Sequence, residues 1–270
     1  MEVVYVLGVK GGIGKTTFSL YFANQLSLTG KKVLYIDHDY FSFGSLILGH
    51  NDLGLLEEIE NNLPIFSRSL KNINNLYILK LFSNPLDANK DYSLLSNSIP
   101  QVVNSIAKMG LDYVILDSSV GILPDNDIVI GLLEELDVEK KGVFLSDMLS
   151  VNSTIKYAKL WENAIKYKIL VINMVPPIPE DLSEAMKIAN KVYDDNNSKL
   201  FNTVVVVPFD EKMYNYKQWC FTNFTQNDTI SMEEKNIRAE LEKSAYFNTR
   251  SKKFSYLLKK LTENEFIYKE

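Results

Sequence analysis

Apolar residues along this chain fall into short unbroken runs, separated by stretches in which they recur every three or four positions. Val3 to Val9, Lys32 to Ile36, Leu76 to Phe82, Leu111 to Leu116, Lys141 to Leu145, Lys168 to Ile172 and Phe201 to Val207 are runs rich in Val, Ile and Leu. Runs of this kind predict strands buried on both faces. Between them, Phe18 to Leu28, Tyr92 to Met109, Val151 to Lys166 and Pro179 to Tyr193 carry helical spacing, and Gly30 supplies a stop for the first helix. Strand and helix alternate, which predicts an α/β fold: a predominantly parallel twisted sheet with helices on both faces and right-handed crossovers. The segment from Tyr40 to Asn75 is the least legible, with one short helix expected over Leu53 to Glu60. Met232 to Leu261 reads as helical. No linker rich in Pro, Gly or Ser and no repeat interrupts the chain, so residues 1–270 read as a single domain.

In a parallel sheet, ligands bind outside the carboxyl ends of the strands. Polar residues collect where the strand pattern stops. The first run opens into Lys10-Gly11-Gly12-Ile13-Gly14-Lys15-Thr16-Thr17, between a predicted strand and a predicted helix. It fits the phosphate-binding pattern G-x-x-x-x-G-K-[ST], except that Val9 stands where the first glycine belongs. Three glycines let consecutive N–H groups turn inward around an anion, and the following helix adds the positive end of its dipole. Lys15 is then expected at the β- and γ-phosphates, and the Thr16 hydroxyl on Mg²⁺. Asp37 and Asp39 flank His38 after the second run, and alternate residues of an extended chain point the same way. Asp117 ends the fourth run, where a magnesium-holding carboxylate belongs in a nucleotide site of this kind. Asn173 follows another strand, with an amide able to donate and accept at the edge of a base.

Lys10 adds a family resemblance. KGGIGKTT resembles the deviant Walker A box of the ParA/MinD ATPases, in which the first lysine reaches across a dimer to the partner's phosphates. The resemblance implies a P-loop NTPase fold, ATP and Mg²⁺ as ligands, slow hydrolysis, and a homodimer when ATP is bound. It also implies an activating partner protein. By it, Lys10, Lys15 and Asp39 are the catalytic candidates, with Asp39 positioning water, while Asp37 joins Thr16 and Asp117 around the metal. DSSVGI after the fourth strand is similar to the D-S-P-A-G-I switch of MinD-like proteins, with Ser119 in place of proline and Gly121 as a candidate hinge. Asn173, with Pro208, Phe209 and Asp210 (VPFD), resembles the elements that cover the base. The GTP-reading motif N-K-x-D does not occur, which favours ATP.

Composition narrows the class further. The chain has one cysteine, Cys220, so it cannot form a disulfide with itself, and this counts against the cluster-carrying relatives of the same group. Its two histidines, His38 and His50, are too few for a histidine metal site. Neither a signal peptide nor a membrane span is expected, and the reading is cytoplasmic, with membrane or nucleoid association open. Net charge is −5, yet Lys243 to Lys260 holds six basic residues and no acidic one. That stretch suits nonspecific DNA, as in ParA proteins. Phe254, Leu257, Leu258 and Leu261 instead form an apolar helical stripe suited to a membrane surface, as in MinD proteins, or to docking on the domain. Glu263, Glu265 and Glu270 favour docking. A third alternative is a nucleotide-dependent regulatory scaffold that acts on a protein partner; the full set of lysines and carboxylates argues against a dead site.

Overall fold

The computed structural model describes residues 1–83, 93–125, 127–194 and 200–209. Asp210, Cys220, the basic stretch and the tail helix expected from the sequence lie outside the described residues. In chain order the elements are β1 (Glu2–Leu7), α1 (Lys15–Leu28), β2 (Val33–Asp37), α2 (Phe43–Ile47), α3 (Leu55–Glu60), β3 (Leu70–Ile73), β4 (Leu76–Lys80) and α4 (Ser93–Lys108). There follow β5 (Tyr113–Asp117), α5 (Ile128–Glu134), β6 (Glu139–Ser146), α6 (Val151–Leu160), β7 (Tyr167–Val175), α7 (Pro179–Asp194) and β8 (Thr203–Pro208). The strands form one sheet in the order β3-β4-β2-β5-β1-β6-β7-β8. Each neighbouring pair is parallel except β3 with β4.

The unbroken apolar runs have the cause expected of them. Val3, Tyr5 and Leu7 of β1 join the main core with Leu34, Ile36, Leu116, Phe144 and Ile172, against Val102, Ile130, Ala158 and Ala185 of the helices. Val4 and Val6, which alternate with them, are equally buried on the opposite face. Aromatic side chains fill part of this core: Trp161, for one, packs against Tyr5 and Tyr157 with ring centroids 5.7 and 6.2 Å apart. The chain leaves β1 toward β2 on one side and returns through β5 to β6 on the other. The order of the sheet therefore reverses beside β1, which places the loop after β1 at the crevice.

Three elements carry little signal in the sequence. α2 and α5 are one and two turns long, too short for a helical period. β3 (LKNI) is an edge strand half made of polar residues. The segment between β2 and β4 is instead organised by Glu58, a fully buried carboxylate on α3. It accepts from the backbone N–H groups of Phe66, Arg68 and Ser69 and from the hydroxyls of Ser67 and Ser69. One further boundary is corrected: Asn173 does not end its strand but lies inside β7, where a bulge between Ile172 and Val175 puts Met174 at φ 58°.

Candidate functional site

The loop after β1 turns through two glycines in the left-handed region, Gly12 at φ 74° and Gly14 at φ 87°. Side chains disfavour that conformation, which explains the glycines. Gly14 is also a close approach, since a Cβ there would lie 2.7 Å from Asn173 Nδ2. Asn173 donates from that nitrogen to the Ile13 carbonyl at 2.7 Å and so ties β7 to the loop. Ile13 is buried and anchors the loop, while Gly11 and Gly12 are exposed. α1 begins at Lys15 without a side-chain cap on its first turn, so its leading N–H groups face the loop. Thr16 and Thr17 are half-buried on that first turn.

β2 and β5 are neighbours, and their register sets Asp37 directly beside Asp117. Both carboxylates are buried. Asp117 accepts from Ser19 Oγ at 3.1 Å, from the Tyr35 hydroxyl at 2.8 Å, and from the Thr16 side chain. Burial nevertheless pushes its pKa up to about 6, against the pull of Tyr35, Thr16, Lys15 and Ser19. Asp37 accepts from the backbone N–H of Asp39 and, at 2.6 Å, of Ser45. Burial, and then the charge of Asp117, push it to about 7. Lys15 is buried beside them; burial lowers its pKa, and Asp117 and Asp39 oppose the shift. Asp39 is half-buried and accepts from the Phe41 N–H at 2.7 Å. Two buried carboxylates side by side, with one buried ammonium near them, suit a divalent cation.

His38 pairs with a carboxylate from another loop. Its Nε2 lies 3.3 Å from Asp127 Oδ2, and its ring packs 5.6 Å from Phe82. Burial lowers its pKa, opposed by the charges of Asp127 and Asp39. Ser119 Oγ donates to the His38 carbonyl, and Gly121 N–H donates to the Gly8 carbonyl at 3.0 Å. The loops after β1, β2 and β5 are thus bonded to one another. Lys10 stands apart: its exposed ammonium pairs with Asp147, 2.5 Å away, in the turn after β6. Asp147 also caps that turn by accepting from Ser150 N–H. Pro208 ends β8 and pairs with Val175, and Phe209 N–H donates to the Val175 carbonyl at 2.6 Å.

The model of the CobQ/CobB/MinD/ParA nucleotide binding domain matches residues 4–249. The chain belongs to this family. A septum site-determining protein MinD from Buchnera aphidicola is 30% identical over 128 residues, which are 45% of this chain and 46% of that protein. The chain thus spans about half the length of the curated relatives it matches. Among solved structures, the MinD cell division protein of Aquifex aeolicus shares the fold with a TM-score of 0.64 at 19% identity, covering 100% of both chains. MinD of Pyrococcus horikoshii, solved with Mg-ADP, gives 0.58 at 18% identity and 97% of both chains.

The candidate residues from the sequence fall into three groups. Lys15, Thr16, Asp37, Asp39 and Asp117 share one crevice with the glycine loop. Asn173 touches the loop from the side, and Lys10 lies on the rim. Pro208 and Phe209 bond to the end of β7. Sequence reading passed over Ser19, Tyr35, Asp127 and Asp147. Two of them had a positional signal: Ser19 sits one helical turn after Lys15, and Tyr35 shares a strand face with Asp37.

Proposed function

We propose that this chain binds MgATP in the crevice after β1 and hydrolyses it slowly, as a nucleotide-switched dimer of the MinD/ParA type. The observation that carries this reading is the meeting of Lys15, Thr16, Asp37 and Asp117 beside a glycine loop at the carboxyl ends of β1, β2 and β5. Magnesium fits this donor set: Thr16 offers a hydroxyl, and the two raised carboxylates gain from a cation. Asp37 has both oxygens bonded to N–H groups, so its part in the metal shell runs through water. When bound, magnesium would neutralise charge on the phosphates.

Lys15 takes the β- and γ-phosphates, and the N–H groups of Gly11, Gly12, Ile13, Gly14, Thr16 and Thr17 line the rest of the anion. Asp39 orients the attacking water. Asn173, Pro208 and Phe209 flank the adenine. Lys10 exchanges Asp147 for the phosphates held by a second copy, a change that an exposed ion pair permits at little cost. Exposed apolar side chains at the same strand ends suit that second copy or a partner: Phe41 is 69% exposed and Leu149 94%.

Two measurements test the reading. Lys15→Ala should abolish ATP binding, and tight binding by that variant would sink the assignment. Asp39→Ala should bind ATP and dimerise while releasing phosphate slowly; normal turnover would remove Asp39 from the mechanism.

A further inference from the structure

Tyr35 lies two residues before Asp37 on β2, fully buried, beneath the crevice. Its hydroxyl donates to Asp117 Oδ2 at 2.8 Å, while Ser19 Oγ donates to Oδ1 at 3.1 Å. A carboxylate bonded through one oxygen can still turn about its Cβ–Cγ bond; bonded through both, from β2 and from α1, it has one orientation. The phenol is a permanent donor, because burial and then the Asp117 and Asp37 charges hold its pKa well above the ordinary value.

The other side of the phenol meets α2. A Cβ on Gly44 would lie 1.9 Å from the Tyr35 hydroxyl oxygen and 2.8 Å from the ring carbon that bears it. Only a residue without a side chain lets α2 close over the ring. The next residue, Ser45, donates its N–H to Asp37 Oδ2 at 2.6 Å. α2 therefore rests on both carboxylates, on one directly and on the other through Tyr35.

We propose that Tyr35 is a positioning residue, which fixes the Asp117 carboxylate toward magnesium and links its orientation to the seating of α2 over Gly44. The inference rests on the magnesium–nucleotide reading above and adds the residue that holds the carboxylate in place.

The test is the affinity of the full chain for a fluorescent ADP analogue, measured in excess Mg²⁺ and again in EDTA, with thermal melting alongside. In Tyr35→Phe the affinity in Mg²⁺ should fall about fivefold to tenfold, the scale of one charge-assisted hydrogen bond, with the EDTA affinity unchanged. Gly44→Ala, which keeps the hydroxyl but displaces it, should show the same Mg²⁺-specific loss. The double variant should lose little more than either alone. Wild-type affinity that ignores Mg²⁺ would overturn the magnesium reading together with this inference. A wild-type Mg²⁺ effect that survives intact in Tyr35→Phe would overturn the inference alone. So would equal losses in Mg²⁺ and EDTA, the mark of a purely structural phenol, or fully additive losses in the double variant.

Discussion

Glu58 and the pair Asp37–Asp117 are buried carboxylates in one fold, and their surroundings differ in kind. Glu58 receives five hydrogen bonds from the loop it organises. Burial alone would raise its pKa, but the bonds from Ser69, Arg68, Ser67 and Phe66 outweigh burial and hold it below the usual range. Asp37 and Asp117 have donors too, yet burial wins and both are pushed up, to about 7 and about 6. The difference teaches what each carboxylate is for. One is satisfied by its own chain and supports the fold; the other two are disfavoured in their charged form, a penalty that the proposed cation would relieve.

The comparison breaks most sharply at Asp117. Asp117→Asn should lower Mg²⁺-dependent ATP hydrolysis by about 100-fold or more, an effect of the size of losing one preorganised electrostatic group, while leaving the melting temperature equal or higher. A clear fall in melting temperature would place Asp117 with Glu58 as a structural carboxylate. Glu58→Ala should do the reverse. It leaves several buried donors unpaired and should cost about 2–4 kcal/mol by denaturant titration, with nucleotide affinity intact.

pH sharpens the same contrast. Asp37 and Asp117 hold protons in the folded state that the unfolded chain has released, so the stability of the nucleotide-free protein falls as pH rises from about 4 to about 7. The loss should amount to several kcal/mol, at about 1.4 kcal/mol for each unit by which a pKa is raised, and Asp117→Asn should reduce it. Glu58 has the opposite sign: its stabilisation is present above its unfolded pKa and is lost as pH falls through the lower folded one. Melting curves between pH 3 and 8 separate the two. The smallest effect belongs to the rim. Asp147→Asn removes the charge that pairs with the exposed Lys10 but keeps the cap on the turn, and should change stability by less than about 0.5 kcal/mol.

How far the sequence could be read follows from the length scale of its signals. β1, β2 and β5 are buried on both faces, so their apolar runs are unmistakable, and the residues that end β2 and β5, Asp37 and Asp117, stand out as site candidates. The glycine loop is legible because left-handed backbone and close approach both demand glycine at Gly14. Glu58 is opaque in sequence: its five hydrogen bonds come from residues 66–69, a loop with no period and no motif. Tyr35 looked like one more apolar strand residue, because only the register of β2 on β5 and the small size of Gly44 give its hydroxyl a destination. Asp147 could not be paired with Lys10 from sequence, since 137 residues separate them.

The most direct test of the account is phosphate release from ATP by the wild-type chain, with Mg²⁺ and with EDTA, beside Asp117→Asn under the same conditions. Slow turnover that requires Mg²⁺ and is lost in the variant is the expected result. Turnover that persists in EDTA, or an Asp117→Asn protein as active as the wild type, would contradict it.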